Sequence, residues 1–148
     1  MAAPGARAPA PQAPSEEEVR ELVMRTESAR SQLSALESQR DLVLDLLTEA
    51  RRALLTLEHV ERAQDGDEVL LPLGGGAFVG ARLAHGGRAI SSLGSGVHAE
   101  LPAADARARM VTRVESLESA ASALARDIAR LSDELARLNA IAEQFYGA

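Results

Sequence analysis

Three glycines, Gly74, Gly76 and Gly80, and three histidines, His59, His85 and His98, are the first residues whose types could do chemistry. A glycine loop can cradle a phosphate. Here the spacing is not that of a dinucleotide fingerprint, no Gly-Lys-Ser/Thr follows, and the next stretch reads as strand rather than helix. The glycines are therefore read as turn-formers in a β ribbon. The histidines fall on different expected elements, without the spacing that brings metal ligands together. The chain has no cysteine, hence no thiolate nucleophile and no disulfide. No Ser/His/Asp set and no pair of carboxylates can be argued into one pocket. Neither enzyme activity nor a cofactor or metal is expected. What remains is apolar. Val19, Leu22, Val23 and Met24 near the start, with Ile141, Phe145 and Tyr146 near the end, offer more large apolar surface than one helix seam needs. The flexible thioether of Met24 suits varied partners.

The elements that must position these residues follow from hydrophobic periodicity. Residues 1–14 form a Pro/Ala-rich stretch too poor in large apolar residues to fold, and it is expected to be a disordered tail. Ser15-Glu16-Glu17-Glu18 is a capping box, so helix 1 is expected over 15–64. Its seam repeats every 3.5 residues through Val19, Leu22, Thr26, Ala29, Leu33, Leu36, Arg40, Val43, Leu47, Ala50, Leu54 and Leu57, interrupted only by Thr26 and Arg40. Leu42, Leu44, Leu46 and Leu55 lie off the seam and are expected to pack on the insert or on a partner. Residues 68–101 read as four short strands, 68–71, 77–84, 88–93 and 97–101, with His85-Gly86-Gly87 as a tight-turn candidate. The heptad returns over 102–146 with Met110, Val114, Leu117, Ala121, Leu124, Ile128, Leu131, Leu135, Leu138, Ala142 and Phe145. The expected fold is α+β, mainly α: an antiparallel two-helix coiled coil joined by two β-hairpins, one domain over 15–148. Two hairpins are too little sheet to be stable alone, so another chain is expected to complete them.

Composition excludes several roles. A net charge of −6, with Arg as the only long basic residue, argues against nucleic acid or an anionic membrane as partner. No apolar run is long enough to span a bilayer.

Two stretches in the insert carry a family resemblance. Residues 68–79, EVLLPLGGGAFV, and residues 92–100, SLGSGVHAE, resemble the two glycine-marked strands of the alpha class of the prefoldin (GimC) family, archaeal type. They stand in the same order between two coils, and the resemblance covers 15–148. It implies a cytoplasmic hexamer of two alpha and four beta subunits, with the hairpins forming a platform. It also implies ATP-independent capture of unfolded polypeptides at the coil tips and delivery to a group II chaperonin. Carried onto this chain, Leu70, Leu71, Phe78, Val79, Ile90, Leu93 and Val97 serve assembly. Val19, Leu22, Val23, Met24, Ile141, Phe145 and Tyr146 hold the client. Two other readings fit the same elements: a coiled-coil adaptor for one fixed folded partner, and, poorly with this charge, a tRNA-binding arm.

Overall fold

The computed structural model describes residues 14–84 and 86–146. The expected tail, apart from Pro14, and His85 lie outside the described residues. The element order is α1 (Glu16–Val60), β1 (Glu68–Gly74), β2 (Ala77–Arg82), β3 (Arg88–Gly94), β4 (Val97–Pro102) and α2 (Ala103–Tyr146). The chain divides into two compact units, one holding α1 up to Arg40 with α2 from Ala123, the other running from Asp41 to Ser122.

In the first unit α1 begins with the reciprocal cap its sequence encodes. The Ser15 amide and hydroxyl donate to Glu18 Oε2 at 2.8 and 3.0 Å, and the Glu18 amide donates to Ser15 Oγ at 3.2 Å. Those bonds to the ionised form, the backbone amide first, hold the Glu18 carboxyl below its ordinary pKa. Ala29 and Leu138 are buried, and the other seam positions of this unit are half-buried. Thr26 is tolerated in the seam because its hydroxyl donates back to the Leu22 carbonyl at 2.8 Å, which leaves the methyl group to pack. Beside the seam, Arg25 faces Glu134 and Arg30 donates to Asn139 Oδ1 at 3.4 Å.

In the second unit, Arg51 meets Glu118 at 2.6 Å and Glu61 meets Arg107 at 2.9 Å. Numbers rise on α1 as they fall on α2, so the helices run antiparallel. The Arg107 Nε–H has no hydrogen-bond partner, so its contact with Glu61 is a charge pair without a directed bond. Leu47, Ala50, Ala103 and Ala106 are buried. Among the described residues no large side chain is fully enclosed. Leu42 and Leu55 remain 61% and 59% exposed, so they do not pack on the insert of their own chain.

Helix α1 stops at Val60, short of the expected 64. Arg62 and Ala63 donate to His59 and Val60 in tight turns, both at 3.1 Å. The Asp67 carboxylate then takes the Gln64 amide at 2.8 Å, a local bond that competes with helix. Each hairpin forms its own two-stranded antiparallel sheet. In the first, Leu71 opposes Val79 and Pro72 opposes Phe78, and in the second, Ile90 opposes Glu100 and Ser92 opposes His98. Both registers slip by one residue, at Leu73 and at Leu93, just before a turn. The turns are Gly74-Gly75-Gly76 and Gly94-Ser95-Gly96, all six residues at positive φ.

The tight-turn role expected for His85-Gly86-Gly87 is corrected by this topology. β2 and β3 do not pair, and Gly86 and Gly87 belong to the link between the two sheets. The first hairpin is longer than its β strands alone: Leu83 exchanges backbone bonds with Gly66 and Asp67 at 2.8 and 2.9 Å. The Gly87 carbonyl accepts the Ala103 amide at 2.7 Å, fixing where α2 begins.

Candidate functional site

The two hairpins share one plan at an offset of about twenty residues, since Leu70, Leu73 and Gly74 correspond in register to Ile90, Leu93 and Gly94. Their surfaces differ. On the first hairpin Leu70 and Phe78 stand on one face and Leu71 and Val79 on the other, so apolar side chains point both ways. On the second, Ala89, Ser91, Ala99 and Leu101 form a half-buried face, and Ile90 stands opposite them among Ser92, His98 and Glu100. Leu70, Leu73, Phe78 and Ile90 are 71, 68, 60 and 77% exposed, and Leu71, Val79, Leu93 and Val97 are exposed as well. All seven residues assigned to assembly are thus uncovered in the single chain. Leu73 was absent from that assignment. It sits at the bulge, where the simple alternation of a strand no longer tells which way a side chain points. Cross-strand ion pairs, Glu68 with Arg82 and Arg88 with Glu100, close the helix-proximal ends of the ribbons.

In the first unit, the ends of α1 and α2 enclose a cleft of about 190 Å³ lined by Val19, Leu22, Val23, Thr26, Ala142 and Phe145, with Glu27, Arg30 and Asn139 at its edge. Four of the seven residues expected to hold a client, Val19, Leu22, Val23 and Phe145, therefore meet in one place. Met24 does not join them. It is 58% exposed and borders a separate hollow with Glu16, Glu17, Arg20 and Glu21. Ile141 lies on a third surface with Arg25, Glu134 and Arg137. The side chain of Tyr146 lies outside the described residues. One turn of helix separates the cleft from the capping box, so the Ser15–Glu18 bonds also hold the residues that build it.

Thr26, Ala142 and Asn139 were not singled out from sequence as site residues. Thr26 and Ala142 stand in the seams and Asn139 beside one, but as small or polar residues they carry no hydrophobic mark. Among the described residues no group of three His, Cys, Asp or Glu gathers to hold a metal. No helix of the described residues is long and apolar enough to cross a membrane.

The family model for prefoldin subunits matches residues 29–148. The chain is 30% identical over 115 residues to a prefoldin subunit alpha from Methanoculleus marisnigri, covering 78% of this chain and 72% of the relative. It is 25% identical over 124 residues to a prefoldin subunit alpha from Methanococcoides burtonii, covering 84% of this chain and 90% of the relative. Among solved structures, the prefoldin beta subunit from Thermococcus strain KS-1 superposes with a TM-score of 0.58 at 22% identity, covering 90% of this chain and 94% of that one. A filamentous prefoldin from Methanocaldococcus jannaschii gives 0.52 at 24% identity, covering 85% and 98%. At those identities the structures speak for the fold, and the sequence matches speak for the class. The chain belongs to the prefoldin family of chaperone subunits, and the relatives it matches are alpha subunits.

Proposed function

We propose that this chain is a co-chaperone subunit that binds non-native polypeptide in the cleft between the ends of α1 and α2, without ATP, and delivers it to a group II chaperonin. The observation that carries the reading is the gathering of Val19, Leu22, Val23 and Phe145 around an open apolar cleft. A folded chain gains nothing from leaving such a surface uncovered unless something binds there. Met24 and Ile141 add secondary contacts from the neighbouring surfaces. Assembly in this reading runs through Leu70, Leu71, Phe78, Val79, Ile90, Leu93 and Val97, with two copies of this chain and four beta-type subunits in a cytoplasmic hexamer. Several weak apolar grips on separate arms give avidity while each arm releases readily, which suits hand-over to an acceptor.

The test mixes the full chain with a prefoldin beta subunit and follows aggregation of a denatured client by light scattering. Val23→Ala with Phe145→Ala is expected to remove most of the protection while the mass of the complex, measured by light scattering on a column, still fits two alpha and four beta subunits. Equal protection by the doubly substituted complex would sink the cleft assignment. A mass unlike two-to-four would sink the assembly reading.

A further inference from the structure

Asp65-Gly66 is the one Asp-Gly pair in the chain, which has no Asn-Gly. Before glycine an aspartyl residue can modify itself, because no side chain shields the next backbone nitrogen from the carboxyl. The Gly66 nitrogen attacks Asp65 Cγ, the N–Cγ bond forms, and the amide proton leaves with the hydroxyl of the acid form as one water. Water then opens the five-membered succinimide. Opening at the carbonyl that was the main-chain carbonyl of Asp65 gives isoaspartate, in which the chain runs through Cβ and Cγ at unchanged mass. The two steps lose one water and regain one, with no other reactant.

In the folded chain both reacting groups are engaged elsewhere. The Gly66 amide donates to the Leu83 carbonyl at 2.8 Å, and the Asp65 carboxylate accepts the Gly86 amide at 2.6 Å. The turn around them is fastened as well, since the Leu83 amide donates to the Asp67 carbonyl at 2.9 Å and the Gln64 amide to the Asp67 carboxylate at 2.8 Å. Asp65 and Gly66 are nevertheless exposed, so water is at hand once these bonds open.

We propose that Asp65-Gly66 is a self-modification site gated by the base of the first hairpin: isoaspartate forms when the Gly66–Leu83 and Asp65–Gly86 bonds open, and not while they hold. Openings of single turns and hairpin ends cost far less than global unfolding, so the gate can open in a chain that stays folded. Once formed, isoaspartate lengthens the main chain by one methylene, about 1.5 Å, and moves the free carboxylate onto the main-chain carbon. The turn after α1 then loses its tie to the link between the hairpins.

The full chain assembled with a prefoldin beta subunit is aged at neutral pH beside the same chain unfolded in urea. After digestion, isoaspartate at position 65 is read as a peptide of unchanged mass and altered elution. The folded complex is expected to accumulate it at about a tenth of the unfolded rate or less. Gly86→Ala, whose Cβ would meet the Ala63 and Gln64 backbone, is expected to raise the folded rate at least about threefold. Asp65→Glu, which would need a six-membered ring, is expected to give none in either state. Equal rates in folded and unfolded chains overturn the gate, as does an unchanged rate in a Gly86→Ala chain that keeps its helices. Absence of isoaspartate at position 65 in the unfolded chain overturns the site. Where circular dichroism shows that Gly86→Ala has lost its helices, hydrogen exchange of the Gly66 amide in the unsubstituted complex takes its place. A rate of isoaspartate formation that rises with that exchange in mild denaturant supports the gate, and one indifferent to it overturns the gate.

Discussion

The backbone amide of Gly86 donates to the Asp65 carboxylate at 2.6 Å, tying the link between the hairpins to the turn that follows α1. The approach is so close that a Cβ on Gly86 would stand 2.4 Å from the Gln64 carbonyl carbon and 2.6 Å from the Ala63 carbonyl oxygen. Those atoms are backbone, fixed by the tight turns that end α1, and cannot move aside. Gly86→Ala is therefore expected to lower stability by about 1–3 kcal/mol, and Asp65→Ala by about 1 kcal/mol through loss of a charge-assisted bond. Thermal unfolding of the full chain followed by circular dichroism measures both. A Gly86→Ala chain melting with its parent would contradict the steric argument.

Among the described residues Ser95 is the one non-glycine residue at positive φ, 51°, and it fills the turn position held by Gly75 in the first hairpin. A side chain there is disfavoured and glycine is not. Ser95→Gly is expected to stabilise the second hairpin by up to about 1 kcal/mol, and Gly96→Val to destabilise it by about 1–2 kcal/mol. Hydrogen exchange of the β3 and β4 amides reads the effect where it arises. An unchanged exchange pattern in Gly96→Val would remove the case for this turn type.

The cap at Ser15 and Glu18 makes the start of α1 sensitive to acid. The Glu18 carboxyl is depressed in the folded chain by the Ser15 amide and hydroxyl, so its contribution is present above the unfolded value of about 4.3 and is lost as pH falls through the lower folded value. The amides of Ser15, Glu18 and Val19 are expected to lose exchange protection over that acid range, and Glu18→Gln to blunt the pH dependence. Carboxyl titration by NMR should place Glu18 below the model-peptide value. A midpoint at or above it contradicts the cap.

Charge placed on a ribbon should act on assembly and leave the helices alone. Phe78→Asp sets a carboxylate beside Leu70 on an exposed apolar face of the first hairpin. Its helix content and melting temperature are expected to match the parent, and binding to a beta subunit to fall by more than tenfold, about 1.4 kcal/mol or more. Loss of helix with loss of binding would mean that the hairpin supports the fold as well.

The parts of this fold legible in sequence were those with a local cause. The capping box and both heptad seams stand where their spacing puts them, because hydroxyl, carboxylate and apolar stripe act within a turn or two of chain. The end of α1 was read four residues late because the competing bond, Gln64 to Asp67, forms only once the turn is in place. Gly86 looked like a hairpin glycine, whereas its constraint is the backbone of residues 63–64, distant in sequence and invisible to a turn motif. At the cleft, Val23 and Met24 were read as equivalent neighbours. A one-residue step around a helix is 100°, enough to send Val23 into the cleft and Met24 to another surface.

The shared plan of the two hairpins gives this chain two separate ribbons. Each ribbon is a separate sheet with its own turn and its own bulge, so each can be blocked or mutated without disturbing the backbone pairing of the other. Their faces are unlike: on the first, apolar side chains point both ways, and on the second Ile90 stands exposed among Ser92, His98 and Glu100. In the assembly proposed above, what grips the first ribbon is therefore expected to differ from what grips the second. In the proposed hexamer such a piece would serve as a junction between unlike neighbours.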